Sequence, residues 1–229
     1  MNCIELNYPL IHHPGCLSIT GPSFSGKTTI LKKLIKYRDE VFTAKFQHII
    51  YCYAESSSGM EDDFPEVEIF KGFPDLEQLQ IWMDMYSSQP WLICLDDLSK
   101  EFNSNPLGGE LATKLSHHNN VTLCVINHSL FSGGSKTPFS RLINLNMHNY
   151  IFTRTLRDLN VFNVFGRQCL GTGYGKAFVS AFLDATEGRG DEDNPSYLFV
   201  SLHPIFSRRD CMLFSNILPG EGVMIAYRK

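Results

Sequence analysis

The sequence predicts an α/β fold in which helices flank a mostly parallel β-sheet. Apolar strand-like runs alternate with helical segments along most of the chain, a pattern typical of parallel strands joined by helices. Two of the runs, Trp91–Leu95 and Val121–Ile126, are apolar almost throughout, as expected of strands covered on both faces. The 229 residues, 43% of them hydrophobic, suffice for one domain with a well-filled core.

The predicted elements alternate as far as residue 186 and then end in β-structure. Short apolar runs predict strands at Cys16–Thr20, His48–Tyr53, Val67–Phe70, Trp91–Leu95, Val121–Ile126 and His148–Thr153. Helical spacing of apolar residues predicts helices at Thr29–Ile35, Pro74–Ser87, Leu107–His118, Leu156–Gln168 and Tyr174–Thr186. We expect a closing β-hairpin and one further short strand at Tyr197–Leu202, Cys211–Phe214 and Val223–Tyr227. Residues 1–229 are expected to form a single domain, with a core at about 15–202 and a C-terminal extension at 203–229.

A glycine-containing loop lies between the first predicted strand and the first predicted helix. The segment Gly21–Thr28 (GPSFSGKT) fits G-x-x-x-x-G-K-[ST] at every fixed position. In this setting backbone N–H groups and the positive helix end contact the β-phosphate of a nucleotide, Lys27 reaches the β- and γ-phosphates, and the Thr28 hydroxyl binds Mg²⁺. The alternative is an ordinary turn before a helix, with Lys27 solvated. The pattern therefore predicts a P-loop site for ATP and Mg²⁺ formed by Gly21, Pro22, Ser23, Phe24, Ser25, Gly26, Lys27, Thr28 and Thr29.

Two carboxylates follow the apolar run Trp91–Leu95, in the arrangement called Walker B. A nucleotide hydrolase needs carboxylates for the metal and for the attacking water near its phosphate loop. Asp96 is predicted to bind Mg²⁺, and Asp97 to polarise the water that attacks the γ-phosphate. Many hydrolases of this layout have Glu in the second position, and Asp97 is one methylene shorter. The alternative is that the pair caps the following helix.

The strand Val121–Ile126 ends in Asn127 and His128. A polar amide at this position can hydrogen-bond the γ-phosphate or the attacking water, so Asn127 is the predicted catalytic sensor and His128 a weaker candidate. An Asn in an ordinary turn is the alternative. Because this strand follows the Walker B strand after one helix, we expect it to lie between the phosphate-loop strand and the Walker B strand. That insertion is typical of the additional-strand, RecA-like branch of the P-loop fold.

Three arginines follow the sixth predicted strand, at Arg154, Arg157 and Arg167. In a ring-forming nucleotide hydrolase such an arginine can stabilise the transition state in the neighbouring subunit's site. A solvated helix face, or an ion pair such as Arg157 with Asp158, is the alternative for each of them.

Charge and cysteine usage restrict the class of protein. A net charge of −4 and a pI near 6.0 exclude a generally basic nucleic-acid coat, so any contact with DNA requires a local basic patch. The seven cysteines are scattered and form no CxxC pair, which predicts a reducing intracellular compartment and disfavours a zinc site. The sequence has no signal-peptide pattern and no run of eighteen apolar residues, so no membrane partner is expected.

Taken together, these motifs resemble a known family. The chain resembles the genome-packaging ATPases of large DNA viruses and of Polinton or adintovirus-like elements. The resemblance lies in the order and spacing of the segments GPSFSGKTT, WLICLDDL, VTLCVINHSLF, YIFTRTLRD and the later GRQ. These ATPases belong to the FtsK–HerA superfamily, and the resemblance covers about residues 15–202. One departure is that the family often has Asn-Pro-Arg-Asp where this chain has Thr155-Leu156-Arg157-Asp158.

The resemblance implies a homo-oligomeric ring at a capsid opening, in which ATP hydrolysis at subunit interfaces drives double-stranded DNA through a central channel. It implies Arg157, in preference to Arg154, as the residue that reaches the neighbouring site, and capsid proteins as further partners. The place of action would be the host cytoplasm or nucleus, or the virion itself. The loop Gly133–Lys136 is a candidate DNA-contacting pore loop, and a solvated connector is the alternative.

Two other functions are compatible with the same motifs. One is a HerA-like or helicase-like cellular DNA translocase, although such motors commonly add an accessory domain for which 229 residues leave little room. The other is a nucleotide-dependent assembly scaffold that binds ATP without moving DNA. A weak or absent catalytic acid at Asp97 would favour the scaffold.

Overall fold

A single nine-stranded sheet organises the protein, and its order is β3-β2-β4-β5-β1-β6-β7-β8-β9. The computed structural model describes residues 10–115, 118–130, 140–157, 159–187, 190, 193–204 and 211–228. The strands are β1 (Gly15–Thr20), β2 (His48–Tyr53), β3 (Glu68–Lys71), β4 (Trp91–Asp96), β5 (Val121–Asn127), β6 (Asn149–Thr153), β7 (Tyr197–Ser201), β8 (Cys211–Ser215) and β9 (Ile225–Arg228).

The strand directions confirm the predicted mostly parallel sheet. Every neighbouring pair from β3 to β6 is parallel, whereas β7, β8 and β9 each pair with their neighbour in the antiparallel sense. Strand β5 lies between β1 and β4, as the sequence predicted for the additional strand. The predicted closing hairpin is β7 with β8, and β9 extends the same sheet by one more strand.

Helices connect the strands and cover both faces of the sheet. The α-helices are α1 (Lys27–Lys36), α2 (Arg38–Val41), α3 (Met60–Asp63), α4 (Leu76–Tyr86), α5 (Ser99–Ser104), α6 (Pro106–Glu110), α7 (Ser140–Asn146), α8 (Leu159–Leu170) and α9 (Gly175–Thr186). A π-helical segment, Leu111–Leu115, continues α6. The helix expected at Leu107–His118 is thus an α-helix that passes into a π-helical turn, and the helix expected from Leu156 begins at Leu159.

Each face of the sheet has its own apolar core. On one face α1 packs Ile30, Leu31 and Leu34 against strand residues that include Leu17 and Ile19. On the other face α4, α5, α8 and α9 pack a second cluster, which is rich in aromatic side chains such as Trp82, Phe102, Phe162, Phe165, Phe178 and Phe182. A layer of helices on each side leaves only the edges and ends of the strands to meet solvent. Within the part of the chain that the structure describes, no helix combines the length and the apolar character needed to cross a membrane.

Candidate functional site

The carboxyl ends of four adjacent parallel strands bring the predicted site residues to one edge of the sheet. Because β4, β5, β1 and β6 are parallel neighbours, the segments that follow them meet at the same edge. These segments are the phosphate loop after β1, the pair Asp96–Asp97 at the end of β4, Asn127–His128 at the end of β5, and Arg154 directly after β6.

The phosphate loop enters α1 through residues with left-handed backbone. Gly26 precedes α1 with φ 83°, and a Cβ at this position would lie 2.4 Å from Cβ of Pro195, so only glycine fits. Phe24 also has a positive φ, of 62°, and its side chain is fully exposed at the tip of the loop. A non-glycine residue in this region carries a conformational cost. The loop therefore has the tightly wound shape that directs backbone N–H groups towards an anion.

A threonine from β6 holds the phosphate loop in place. Thr153 Oγ1 lies 2.6 Å from Ser25 Oγ, and the Ser25 hydroxyl also donates to the Pro22 carbonyl at 2.8 Å. A Cβ on Gly21 would fall 1.8 Å from Thr153 Oγ1, which shows how closely β6 approaches the loop. The sequence did not single out Thr153, since only the register of β6 beside β1 brings it here.

Lys27 is the buried cation of the site. Its side chain is only 7% exposed, and Nζ donates to the Pro22 carbonyl at 2.8 Å, so the ammonium spans the loop. Burial lowers the pKa of Lys27, while the nearby charges of Asp97 and Asp96 act in the opposite direction. Neither carboxylate comes within ion-pair distance of Nζ in the described chain. A desolvated ammonium without an adjacent counter-ion suits the binding of an anionic phosphate.

Asp96 is held by two hydroxyl groups. Thr28 Oγ1 donates to Asp96 Oδ2 at 3.3 Å, and the hydroxyl of Tyr51 donates to the same oxygen at 2.6 Å. Tyr51 is fully buried on β2, which pairs with β4 so that Tyr53 is opposite Asp96. Burial raises the pKa of Asp96, and the hydrogen bond from Tyr51 partly offsets this rise. The sequence missed Tyr51, because only the alignment of β2 beside β4 brings its hydroxyl to Asp96.

The pair Thr28 and Asp96 fits a magnesium ion that is bound together with phosphate. A hydroxyl and a carboxylate are hard oxygen ligands, the kind that Mg²⁺ prefers, and Mg²⁺ commonly completes its shell with phosphate oxygens and water. Within the described ranges, no group of three or more His, Cys, Asp or Glu side chains could hold a metal alone. Mg²⁺, when bound with the nucleotide, would neutralise charge on the phosphates.

Asp97 and His128 form a direct contact that the sequence did not predict. His128 Nε2 lies 2.6 Å from Asp97 Oδ1, and the two side chains are 48% and 54% exposed. Asp97 has φ 56°, which is left-handed backbone. The contact joins the segment after β4 to the segment after β5, and no spacing in the sequence reports such a pairing.

Asn127 makes its hydrogen bond within the sheet. Its Nδ2 donates to Ser18 Oγ at 2.8 Å, and its Oδ1 is buried and accepts no hydrogen bond from the residues that the structure describes. Alternation along β5 places Asn127 on the same face as Leu123 and Val125, opposite α1. Its predicted role as a catalytic sensor stays a prediction, because in the described residues no hydrogen bond joins its side chain to Asp96 or Asp97.

The three arginines differ in their position relative to the phosphate loop. Arg154 and Arg157 are exposed and follow β6 at the phosphate-loop edge, whereas the exposed Arg167 lies eight residues into α8, about 12 Å along its axis. Asp158, the ion-pair partner of Arg157 in the alternative interpretation, lies outside the described residues, as does the pore-loop candidate Gly133–Lys136.

Among known proteins, similarity to this chain is found in solved structures. No family model matches the chain. No curated protein matches it either. Among solved structures it is similar to EssC (ATPases 2 and 3) from Geobacillus thermodenitrificans, with a TM-score of 0.43 and 13% identity over 63% of this chain and 35% of that chain.

Two further solved structures show a similar degree of likeness. The cytoplasmic domain of EssC matches with a TM-score of 0.44 and 12% identity over 62% of this chain and 32% of that one. The cytoplasmic domain of the Thermomonospora curvata type VII secretion ATPase EccC matches with a TM-score of 0.43 and 14% identity over 62% of this chain and 21% of that one. This chain thus spans about a third or less of the length of these neighbours.

Proposed function

We propose that this chain is an ATP-hydrolysing motor that translocates double-stranded DNA, and that it packages a viral genome into a capsid. The observation that carries the hydrolysis is the convergence of a buried lysine, a hydroxyl and two carboxylates at one sheet edge. Lys27 spans the phosphate loop, Thr28 donates to Asp96, and Asp97 follows in sequence. This set supplies a cation for the phosphates, ligands for the metal and a candidate base for water.

The proposed roles follow from these positions. Lys27 binds the β- and γ-phosphates, Thr28 and Asp96 hold Mg²⁺, and Asp97 takes the proton of the attacking water. Backbone N–H groups of the loop and the start of α1 bind the β-phosphate. Asn127 remains a proposed sensor, since its buried Oδ1 is without a hydrogen bond from the described chain and can accept one from water.

The ring and the DNA substrate are supported by the resemblance of the motifs and by the exposure of two arginines. Arg154 and Arg157 lie at the same edge as the phosphate loop and are free to meet a neighbouring subunit there. We propose Arg157 as the arginine that acts in the adjacent site of a homo-oligomeric ring, with double-stranded DNA in the channel and capsid proteins as partners. Residues 1–229 would form one ATPase domain, because β8 and β9 of the 203–229 extension continue the sheet of the core.

The test is the rate of ATP hydrolysis with and without double-stranded DNA, measured on the wild type and on Lys27→Ala. We expect DNA to stimulate the wild-type rate, and Lys27→Ala to abolish hydrolysis and weaken nucleotide binding because a buried cation is lost. Lys36→Ala is the matched control, since Lys36 is an exposed lysine of the same helix. It should hydrolyse ATP as the wild type does.

The possible outcomes separate the candidate functions. DNA-stimulated hydrolysis supports a motor, and encapsidation of DNA in the presence of capsid proteins would distinguish packaging from a cellular translocase. A trace rate that DNA does not change would reject the motor and favour the scaffold. Wild-type turnover by Lys27→Ala would remove the assignment of the phosphate loop.

A further inference from the structure

The contact between Asp97 and His128 joins the candidate base to a side chain that the proposed hydrolysis does not use. The carboxylate follows β4 and the imidazole follows β5, and Asp97 Oδ1 lies 2.6 Å from His128 Nε2. The distance is that of a strong, charge-assisted hydrogen bond. It is also the one hydrogen bond to the Asp97 carboxylate from the described part of the chain, so Oδ2 has no such partner there.

The backbone at Asp97 also determines where this carboxylate points. Its φ of 56° belongs to the left-handed region, which Asp tolerates better than most residues but which remains uncommon. Such conformations cluster at functional sites. An aspartate is one methylene shorter than a glutamate, so the direction of its carboxylate depends strongly on this backbone and on the group that holds it.

The surroundings place Asp97 on the nucleotide side of the sheet edge. Its charge acts on Lys27, the buried cation of the phosphate loop, as does the charge of Asp96. The His128 imidazole contacts Asp97 from the neighbouring strand end, and Asn127, the residue before it, is directed into the sheet. Of the two polar residues that end β5, His128 is therefore the one in contact with the candidate base.

We propose that His128 is a positioning residue for ATP hydrolysis: its Nε2–H donates to Oδ1 of Asp97 and leaves Oδ2 directed at the attacking water. The proposal rests on the proposed function, in which Asp97 is the base. Water gives a proton to Oδ2 while its oxygen bonds to the γ-phosphorus. The bond from that phosphorus to the β–γ bridging oxygen breaks, and ADP and phosphate result. His128 itself neither gains nor loses a proton in this step.

Positioning of the base and stabilisation of the fold predict different effects of removing His128. Both side chains are about half exposed, and ion pairs or hydrogen bonds at such positions add little to stability. Loss of His128 should therefore leave the protein folded with its nucleotide affinity intact. A misdirected base should instead lower the rate of the chemical step, because small errors in placement cost much in rate.

The experiment compares kcat, the KM for ATP and the melting temperature of His128→Ala, His128→Gln, Asp97→Asn and the double variant Asp97→Asn/His128→Ala. We expect His128→Ala to lower kcat by about 10- to 100-fold without changing KM or melting temperature. His128→Gln should recover much of the rate, since its Nε2 amide can donate to the same carboxylate oxygen. The double variant should be no slower than Asp97→Asn, as expected of two residues that act through one group. His118→Ala, which changes an exposed histidine elsewhere, should match the wild type.

A second readout does not depend on turnover. ¹⁵N NMR of the histidine rings, with His128 assigned from the His128→Gln spectrum, should show a proton on Nε2 whose signal shifts in Asp97→Asn. If the wild type hydrolyses ATP and His128→Ala has the same kcat, this proposal is overturned while the proposed function stands. A wild type that shows the NMR contact but hydrolyses no ATP would instead overturn the proposed function. Additive losses in the double variant would also contradict a positioning role.

Discussion

At the level of single residues, Asp96, the carboxylate proposed to bind Mg²⁺, depends on a tyrosine of the neighbouring strand. The buried hydroxyl of Tyr51 donates to Asp96 at 2.6 Å and opposes the effect of burial, which raises the pKa of Asp96. A hydrogen bond to a carboxylate stabilises its ionised form. Tyr51 thus keeps Asp96 ionised over a wider range of pH than burial alone would allow.

Tyr51→Phe should weaken the use of Mg²⁺, most strongly at low pH. Removing the hydroxyl raises the pKa of Asp96 further, so a smaller fraction is ionised at low pH, and the difference fades as pH rises above the new pKa. We expect the Mg²⁺ concentration for half-maximal hydrolysis to rise several-fold at about pH 6 and less at about pH 8. Tyr53→Phe is the control, since no hydrogen bond of the Tyr53 hydroxyl is found in the described ranges. Equal Mg²⁺ dependence of Tyr51→Phe and wild type at the lower pH would contradict this role.

Phe24 is a second residue whose backbone predicts a measurable effect. It has φ 62° and a fully exposed side chain, so it bears the cost of left-handed backbone with no packing in the isolated chain. Phe24→Gly should raise the free energy of unfolding by about 0.5–1 kcal/mol, as measured by urea denaturation. Leu156→Gly, at another exposed apolar residue without a positive φ, should give no gain. A loss of stability in Phe24→Gly would indicate that the ring packs against the protein.

At the level of helices and strands, the C-terminal extension is attached to α1, the helix that follows the phosphate loop. Glu221, whose side chain is 7% exposed, accepts hydrogen bonds from the Tyr197 hydroxyl and the Leu218 N–H, and lies 3.8 Å from Lys33 of α1. The Tyr197 hydroxyl also accepts from the Ile217 N–H at 3.1 Å. Strand β7, the extension and α1 are thereby joined through one buried polar cluster.

Tyr197→Phe should therefore destabilise the protein although no apolar contact is lost. The change removes two hydrogen bonds from the buried cluster, the one from the Tyr197 hydroxyl to Glu221 and the one from the Ile217 N–H to that hydroxyl, which costs about 1–3 kcal/mol in the free energy of unfolding. Urea denaturation followed by circular dichroism gives this value, with Tyr53→Phe as the matched control. If Tyr197→Phe and Tyr53→Phe unfold at the same urea concentration, the cluster does not stabilise the extension.

The elements that the sequence predicted well are those with long apolar runs or clear helical spacing. The strands at Trp91–Asp96 and Val121–Asn127 were correct to within a residue because burial on both faces leaves an uninterrupted apolar run. The helices α2 and α3 have four residues each, too few to show a helical period, and were not predicted. Residues Leu111–Leu115 have the spacing of an ordinary helix, so the π-helical turn could not be predicted from it.

For the whole molecule, the sequence predicted the features that follow from the order and spacing of residues along the chain. It missed the contacts that depend on how neighbouring strands are aligned. The position of β5 followed from the order of motifs, and the phosphate loop and Walker B pair followed from residue spacing. Tyr51, Thr153 and the contact between Asp97 and His128 depend on the alignment of neighbouring strands or of the segments that follow them. Such alignments are settled by packing across the sheet, which one sequence does not display.

In the proposed ring, an arginine of the neighbouring subunit completes each ATP site, and hydrolysis moves DNA. Arg157→Ala should therefore bind ATP but barely hydrolyse it, because its phosphate loop is intact while the transition-state cation is missing. Lys27→Ala has the opposite defect. In an equal mixture, about a quarter of the interfaces of a ring would join an intact phosphate loop to an intact arginine.

The decisive measurement is DNA-stimulated ATP hydrolysis by that mixture, compared with each variant alone. If the arginine acts across the subunit interface, the mixture should recover activity that neither variant has alone. Lys27→Ala mixed with the double variant Lys27→Ala/Arg157→Ala should stay inactive, since no intact phosphate loop is present. Parallel mixtures with Arg154→Ala and Arg167→Ala identify the arginine if it is not Arg157. Absence of recovery with all three, in a protein that stays monomeric with ATP and DNA, would contradict the ring motor.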